Sequence, residues 1–203
     1  MCICGGYGFL DKIPVGKIYY RGGYDPEKAD SGLVPSVAEY YGIACQVLER
    51  GNVLNFGDVR MEVIWPMAGD GDSVVSNDLE VNNFSIVFRL DYGEHSSLFT
   101  GDIYVKGTSG EALLLNRTDH DLLKADLLKV PHHGHDTSGS SSFLRAIGAQ
   151  MAVATGSVEI PEAVKTRYND EGIQLLGDRE YGYIHVCAGV DGSMTTETSR
   201  GIS

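Results

Sequence analysis

The sequence predicts a layered α/β fold built on a partly antiparallel sheet. Short apolar runs recur between turn residues in a chain with 26 glycines, the pattern of many brief strands joined by tight turns. Early runs pair around turns such as Gly57-Asp58 and Tyr92-Gly93-Glu94, which marks hairpins. Later runs alternate with segments of helical spacing, which marks βα units and a sheet that becomes parallel.

Taken in order, Lys17–Tyr20 reads as a short strand. From Pro35 to Glu49 the apolar residues Val37, Tyr41, Ala44 and Val47/Leu48 fall at helical spacing, with Ser36 as cap. Val53-Leu54 and Val59 to Trp65 read as two strands about Gly57-Asp58, and the polar stretch Asp70 to Asp78 as a loop. Phe84 to Leu90 and Ser97 to Thr100 are the next two strands, His95 falling in the turn between them. A helix begins over Glu111 to Asn116. Leu127 to Val130 is a buried-type strand, and Ser141 to Ile147 a helix that serines can cap. Then follow a strand over Gln150 to Ala154, a helix over Glu162 to Glu171 closed by Gly172, and a strand over Ile173 to Leu176. Tyr181 to Val186 and Met194 to Glu197 pair about Asp191-Gly192 and are expected to close one sheet edge.

The bulk properties narrow the function classes. At 203 residues and 42% apolar content the chain suits one globular domain. No uninterrupted apolar stretch is long enough to span a membrane, and no signal peptide is read at Met-Cys-Ile-Cys. The cytoplasm is therefore the default expectation. The net charge of −12 argues against a dedicated nucleic-acid-binding module, whose affinity comes from Lys and Arg. It leaves room for a nuclease, whose bound cations make a cleft locally positive. Cys2, Cys4, Cys45 and Cys187 form no CxxC pair and read as ordinary thiols.

Three apolar strands abut a polar, ligand-type residue. Ser97-Leu-Phe-Thr-Gly-Asp102 sets a carboxylate just past one strand, and Leu127-Leu-Lys-Val-Pro-His-His-Gly134 sets two imidazoles past another. Asn82-Asn83-Phe84-Ser85 stands before a third. Sites in open α/β sheets form where loops from several strand ends converge, and carboxylate plus imidazole suits Zn²⁺, Mn²⁺ or Fe. Alone, Asp102 reads equally as a turn residue bonding its own backbone; adjacent imidazoles are harder to place for packing alone, and the two features together favour a site. His95, His120 and His185 read as structural or solvated, and His135 as a neighbour of the site.

These segments resemble a known family. Asn83-Phe-Ser-Ile-Val-Phe-Arg-Leu90, Leu98-Phe-Thr-Gly-Asp-Ile103 and Leu123-Lys-Ala-Asp-Leu-Leu-Lys-Val-Pro-His-His-Gly-His-Asp-Thr-Ser138 are similar to the metallo-β-lactamase-like domain of ComEC-type DNA-uptake proteins. The resemblance runs from Gly5-Gly6 to about Ile184 and is most specific in the middle third. It implies an αββα sandwich, with Asp102 as the metal-bridging carboxylate and His132 as a late histidine ligand, both catalytic. His133, Asn83, Ser85, Thr137 and Ser138 are carried over as residues bordering the pocket.

The family's opening motif, H-x-H-x-D-H-x-G-G, would end at Gly5-Gly6, and Cys2 and Ile3 stand where its Asp and His belong. Ser157 to Pro161 keeps the proline of a later family motif and loses its histidine. The expectation is one partial domain over 1–203, incomplete in its N-terminal half. Two ions, zinc or manganese, serve the complete family; here they are expected to be weak or absent. The implied function is metal-dependent hydrolysis, phosphodiesterase- or nuclease-like and linked to DNA uptake, in a truncated and inactive or weak form. The alternative is a non-catalytic binding or scaffolding remnant. Expected partners are DNA or another phosphodiester, together with self-association or a complementary fragment, because an open sheet edge templates pairing.

Overall fold

The computed structural model describes residues 10, 12–22, 33–70, 82–105, 110–156 and 158–201. The Cys2-Ile3 and Gly5-Gly6 positions, Cys4, Ser157 and most of the expected Asp70–Asp78 loop lie outside them.

The chain opens with β1 (Lys17–Tyr20), α1 (Leu33–Tyr40) and β2 (Ala44–Val47), β1 and β2 pairing in parallel. The helix expected from Pro35 to Glu49 is thus shorter and earlier. Gly42 takes a left-handed φ of 66°, and the Ile43 amide closes back on the Ala38 carbonyl at 2.8 Å, which ends the helix and releases the rest as strand. Ser36 lies inside the helix rather than capping it.

The central element is a seven-stranded mixed sheet in the order β3-β4-β5-β6-β7-β8-β9. Its strands are β3 (Val53–Phe56), β4 (Val59–Trp65), β5 (Val87–Tyr92), β6 (His95–Phe99), β7 (Leu127–Lys129), β8 (Met151–Ala154) and β9 (Gln174–Gly177). The first four pair antiparallel, with tight turns at Gly57-Asp58 between β3 and β4 and at Gly93-Glu94 between β5 and β6. From β6 onward the pairing is parallel, because α2 (Gly110–Arg117), α3 (Ser141–Ile147) and α4 (Glu162–Asp170) intervene and return the chain. The expected α/β class with a large mixed sheet is therefore the one observed.

Two local expectations shift. β5 begins at Val87 rather than Phe84, because the Ser85 amide bonds the Asn82 carbonyl in a turn. His95 opens β6, buried, with its ring 2.9 Å from Ser97 Oγ, and is not a turn residue.

The core gathers on one sheet face. Ile64, Leu98, Leu128 and Ala152 from the strands meet Leu114 of α2, Phe143, Leu144 and Ile147 of α3, and Val164 and Tyr168 of α4. Helix α3 is fixed at both ends: Ser140 Oγ accepts from the Phe143 amide, and Gly148 at φ 62° closes the C-terminus. Residues on the alternate register, Phe99, Leu127 and Val153, are only half-buried.

After β9 come the short α5 (Asp178–Tyr181) and the hairpin β10 (Ile184–Ala188) with β11 (Met194–Thr198). The hairpin forms as expected, but as a separate two-stranded sheet that closes no edge of the main one. It touches the β5–β6 turn through the Glu94 amide, which donates to the Val190 carbonyl at 2.8 Å. A Cβ on Gly93 would fall 2.1 Å from that carbonyl oxygen, so this approach requires glycine.

Leu128 lies at the centre of the sheet and is fully buried. Leu128→Ala is expected to lower unfolding free energy by about 2–5 kcal/mol. A urea titration followed through Trp65, the chain's single tryptophan and itself buried, measures this; a loss under about 1 kcal/mol would contradict the packing described.

Candidate functional site

Parallel pairing aligns the C-terminal ends of β6, β7, β8 and β9. Phe99 sits beside Lys129, Lys129 beside Val153, and Ala154 beside Gly177. The loops leaving those ends therefore open on one side, the position expected of a ligand site in such sheets.

The loop after β6 is tied to its neighbours on both sides. Thr100 Oγ1 donates to the Lys129 carbonyl at 2.8 Å, and the His132 amide donates to the Gly101 carbonyl at 3.2 Å. On the other side the Asp102 amide donates to Ser85 Oγ at 3.1 Å. Gly101 takes φ 56°, and a Cβ there would lie 2.5 Å from Ser85 Cβ, so both conformation and space demand glycine. Asn83 braces the next stretch. Its Oδ1 accepts from the Tyr104 and Gly110 amides at 3.2 and 2.9 Å, and its carbonyl accepts from Trp65 Nε1 at 2.8 Å. Ser85 and Asn83, expected to border the pocket, thus act on the backbone that carries Asp102.

The loop after β7 is the most constrained backbone in the described residues. Val130 and Pro131 lead into His132 and His133 at φ 46° and 56°. These are the two non-glycine residues with positive φ among those described, a conformation that costs on the order of 1–3 kcal/mol per residue and persists only where its surroundings enforce it. The enforcement is visible. Ser138 Oγ donates to the Pro131 carbonyl at 2.8 Å, and Thr137 Oγ1 lies 3.0 Å from His132 Nδ1. His133 Nδ1 donates to the Thr155 carbonyl at 2.7 Å. Thr137 therefore orients the His132 imidazole, and Ser138 holds the backbone on either side of the histidine pair.

Asp102 is buried at 8% exposure. His133 Nε2 and Lys129 Nζ each lie 3.5 Å from its Oδ1, and the same ammonium donates to the Gly101 carbonyl at 2.8 Å. His132 faces elsewhere: its ring centroid is 4.6 Å from those of both Tyr104 and His135. The site therefore brings Asp102 and His133 into ion-pair range and places His132 alongside. Burial pushes the Asp102 carboxyl up, but the surrounding positive charge, including Lys129, outweighs it and leaves the group below its ordinary value. Burial lowers the Lys129 ammonium, with Asp102 opposing. Burial and then the neighbouring His135 lower His132, so it is a neutral imidazole at neutral pH.

A metal is the group the resemblance implies here. Among the described residues no three His, Cys, Asp or Glu side chains converge to hold one, whereas catalytic zinc takes three protein ligands. A lysine ammonium also stands against the carboxylate. The described residues by themselves do not fit a metal ion.

Sequence reasoning missed Lys129, Tyr104 and Glu111 as members of this neighbourhood. A lysine inside the apolar run Leu-Leu-Lys-Val was the available signal for the first. Glu111 of α2 is buried, its carboxylate accepting from the Gly139 amide at 2.5 Å, the Ser140 amide at 3.0 Å and Ser140 Oγ at 2.8 Å. Arg167 of α4 donates to the Ser138 and Gly139 carbonyls at 2.8 and 2.9 Å. Together they clamp the far end of the histidine loop.

The chain is a mixed α/β protein whose parallel strand ends bring a carboxylate, imidazoles and an ammonium together. It is homologous to competence proteins, in agreement with the ComEC-type resemblance of its motifs. It is 30% identical over 131 residues to ComE operon protein 3 of Bacillus subtilis (strain 168), and 34% identical over 104 residues to competence protein ComA of Neisseria gonorrhoeae. The matches cover 64% and 49% of this chain and 15% and 14% of those proteins. It is also 32% identical over 138 residues to the uncharacterized protein YcaI of Escherichia coli (strain K12), covering 66% of this chain and 17% of YcaI. The chain thus spans under a fifth of the length of these relatives. No family model matches it. Similar solved structures include the metallo-β-lactamase fold protein YhfI of Bacillus subtilis, with a TM-score of 0.44 and 11% identity, covering 79% of this chain and 60% of that one. Another is Zn²⁺-bound PqqB of Methylobacterium extorquens, with a TM-score of 0.40 and 9% identity at the same coverages. No helix among the described residues is long and apolar enough to cross a membrane.

Burial raises the Glu111 carboxyl, and the bonds from Ser140 and Gly139 and the charge of Arg167 only partly oppose it. The folded state therefore holds this proton more tightly than the unfolded chain. Its contribution to stability is present below the ordinary value of 4.5 and is lost as pH rises through the higher folded value. Glu111→Gln is expected to remove that component, so that stability falls less steeply than in the unsubstituted chain as pH rises from 4.5. Urea midpoints across that range measure it; parallel profiles would contradict it.

Proposed function

We propose that this chain is a hydrolase-type module of DNA uptake, acting at the phosphodiester backbone through Asp102, His132 and His133 at the strand ends, and very weak by itself. The observation that carries the reading is the paired left-handed conformation of His132 and His133 beside the buried Asp102. Strain of this kind, held by Ser138, Thr137 and Thr155, is what functional sites maintain and packing does not need. Homology to ComE operon protein 3 and ComA supports the link to uptake.

In this reading His132, kept neutral by burial, is the group able to take a proton from an attacking water. The cationic edge of Lys129 receives the phosphate's negative charge. Zinc or manganese, where used, needs donors in addition to the described ones, and that shortfall accounts for weakness in isolation. A second reading, a non-catalytic DNA-binding or scaffolding role, is favoured by one observation: the Lys129–Asp102 pair leaves the carboxylate already compensated. The net charge of −12 argues that such binding is weak.

Incubating the purified chain with single- and double-stranded DNA and Mn²⁺ or Zn²⁺ tests the proposal. Slow cleavage is expected, reduced about tenfold or more in Asp102→Ala. Cleavage that Asp102→Ala leaves unchanged would overturn it. No cleavage, with a salt-dependent gel shift retained in Asp102→Ala, would select the binding reading.

A further inference from the structure

We propose that Lys129 is a built-in counter-cation for the strand-end carboxylate, so that a divalent ion must compete with this chain's own ammonium to reach Asp102. The inference rests on the proposed reading only in taking Asp102 as the carboxylate that would face a metal. It begins from the mismatch between the described residues and a metal site.

Lys129 is the last residue of β7, on the register opposite the fully buried Leu128. Its side chain is 18% exposed, its ammonium 2.8 Å from the Gly101 carbonyl and 3.5 Å from Asp102 Oδ1. Three features show that this is a held position. The Lys129 carbonyl is bonded by Thr100 Oγ1, so backbone and side chain both reach the same β6 loop. The Gly101 carbonyl accepts from the ammonium and from the His132 amide together, tying the lysine to the histidine loop. A half-buried lysine is retained where an acid compensates it, and here Asp102 is that acid.

A cation fixed beside a carboxylate has two effects. It neutralises the carboxylate in the absence of metal, which keeps the loops in place. It also repels a second cation approaching the same oxygens, and the penalty is steep at this distance in a partly buried setting. His133 Nε2 lies 3.5 Å from the same Oδ1. His133 Nδ1 is spent on the Thr155 carbonyl, so the Nε2 lone pair is turned to that shared space. The ammonium therefore sits beside the strand-end pair of Asp102 and His133, against the same carboxylate oxygen.

The test is calorimetric titration of the full chain with Mn²⁺ and Zn²⁺, for the unsubstituted protein, Lys129→Met, Lys129→Arg and Lys129→Met/Asp102→Asn. Methionine keeps the stem and removes the charge; arginine keeps the charge. Lys129→Met is expected to bind metal roughly tenfold more tightly or better, Lys129→Arg no more tightly than the unsubstituted chain, and the double variant to lose the gain. Equal affinity in Lys129→Met and the unsubstituted chain, with binding still lost in Lys129→Met/Asp102→Asn, overturns the lysine's role while leaving the metal-facing reading of Asp102 intact. A gain that survives Asp102→Asn overturns the inference, and so does metal binding by none of the chains; this last result also removes the metal from the proposed function. Should Lys129→Met fail to fold, as judged by circular dichroism, Lys129→Gln carries the same expectations. Should that also fail, the lysine side-chain NMR signal of the unsubstituted chain decides: metal must shift the Lys129 resonance, and an unmoved resonance at saturating metal overturns the proposal.

Discussion

The arrangement of the strand-end side chains depends on the lateral tie between β6 and β7. Thr100 Oγ1 reaches across to the Lys129 carbonyl, and the Lys129 ammonium reaches back to the Gly101 carbonyl. These two bonds run in opposite directions between adjacent parallel strands, at the level where both leave the sheet. Each loop thereby satisfies polar groups of the other, and the carboxylate of one is presented to the imidazoles of the other. Without that tie, Asp102 and the histidine loop would be two surface turns whose relative position nothing in the sheet ladder specifies, because the last ladder pair is Phe99 with Lys129.

The tie also explains how the histidine loop tolerates its backbone. Two consecutive left-handed non-glycine residues require support from several sides. One end of the loop is held through Gly101, and its middle by Ser138 and Thr137. Its far end is held by the Glu111 carboxylate and Arg167 guanidinium, which come from two different helices. A buried glutamate bonded by three donors and neighboured by an arginine is a costly arrangement. Its return here is fixed geometry, and α2 and α4 thereby serve the site as well as the core.

Much of this was legible in the sequence, and the remainder was not for identifiable reasons. The parallel strands could be read because Leu127–Val130 and Gln150–Ala154 are apolar runs bounded by turn residues. Asp102 and His132–His133 could be read because motif and strand end coincide. The helix expected through Glu49 was not interrupted in the reading because apolar spacing continues past Gly42, and only the left-handed turn at that glycine separates helix from strand. Ser85 ends up outside its strand in a turn onto Asn82, and its hydroxyl accepts from the Asp102 amide, a pairing between residues far apart in sequence. Glu111 and Lys129 were missed on similar grounds. A charged residue in a helix or short strand reads as solvated until the fold reveals partners on distant loops.

Charge gives the last step. The chain carries 28 acidic against 16 basic residues, so its average surface repels a polyanion, and the DNA of the proposed reading would have to be met by local features. At the strand ends the Lys129 ammonium stands beside a single buried carboxylate, with the His133 imidazole on the same oxygen. The same ammonium that softens the site toward phosphate also satisfies Asp102 and so works against a divalent ion. One side chain therefore pulls the site in two directions. On the proposed reading, the balance between phosphate and a divalent ion would depend on where that ammonium lies. The register of β7, which places Lys129 on the half-buried face and Leu128 in the core, is what gives the chain that choice.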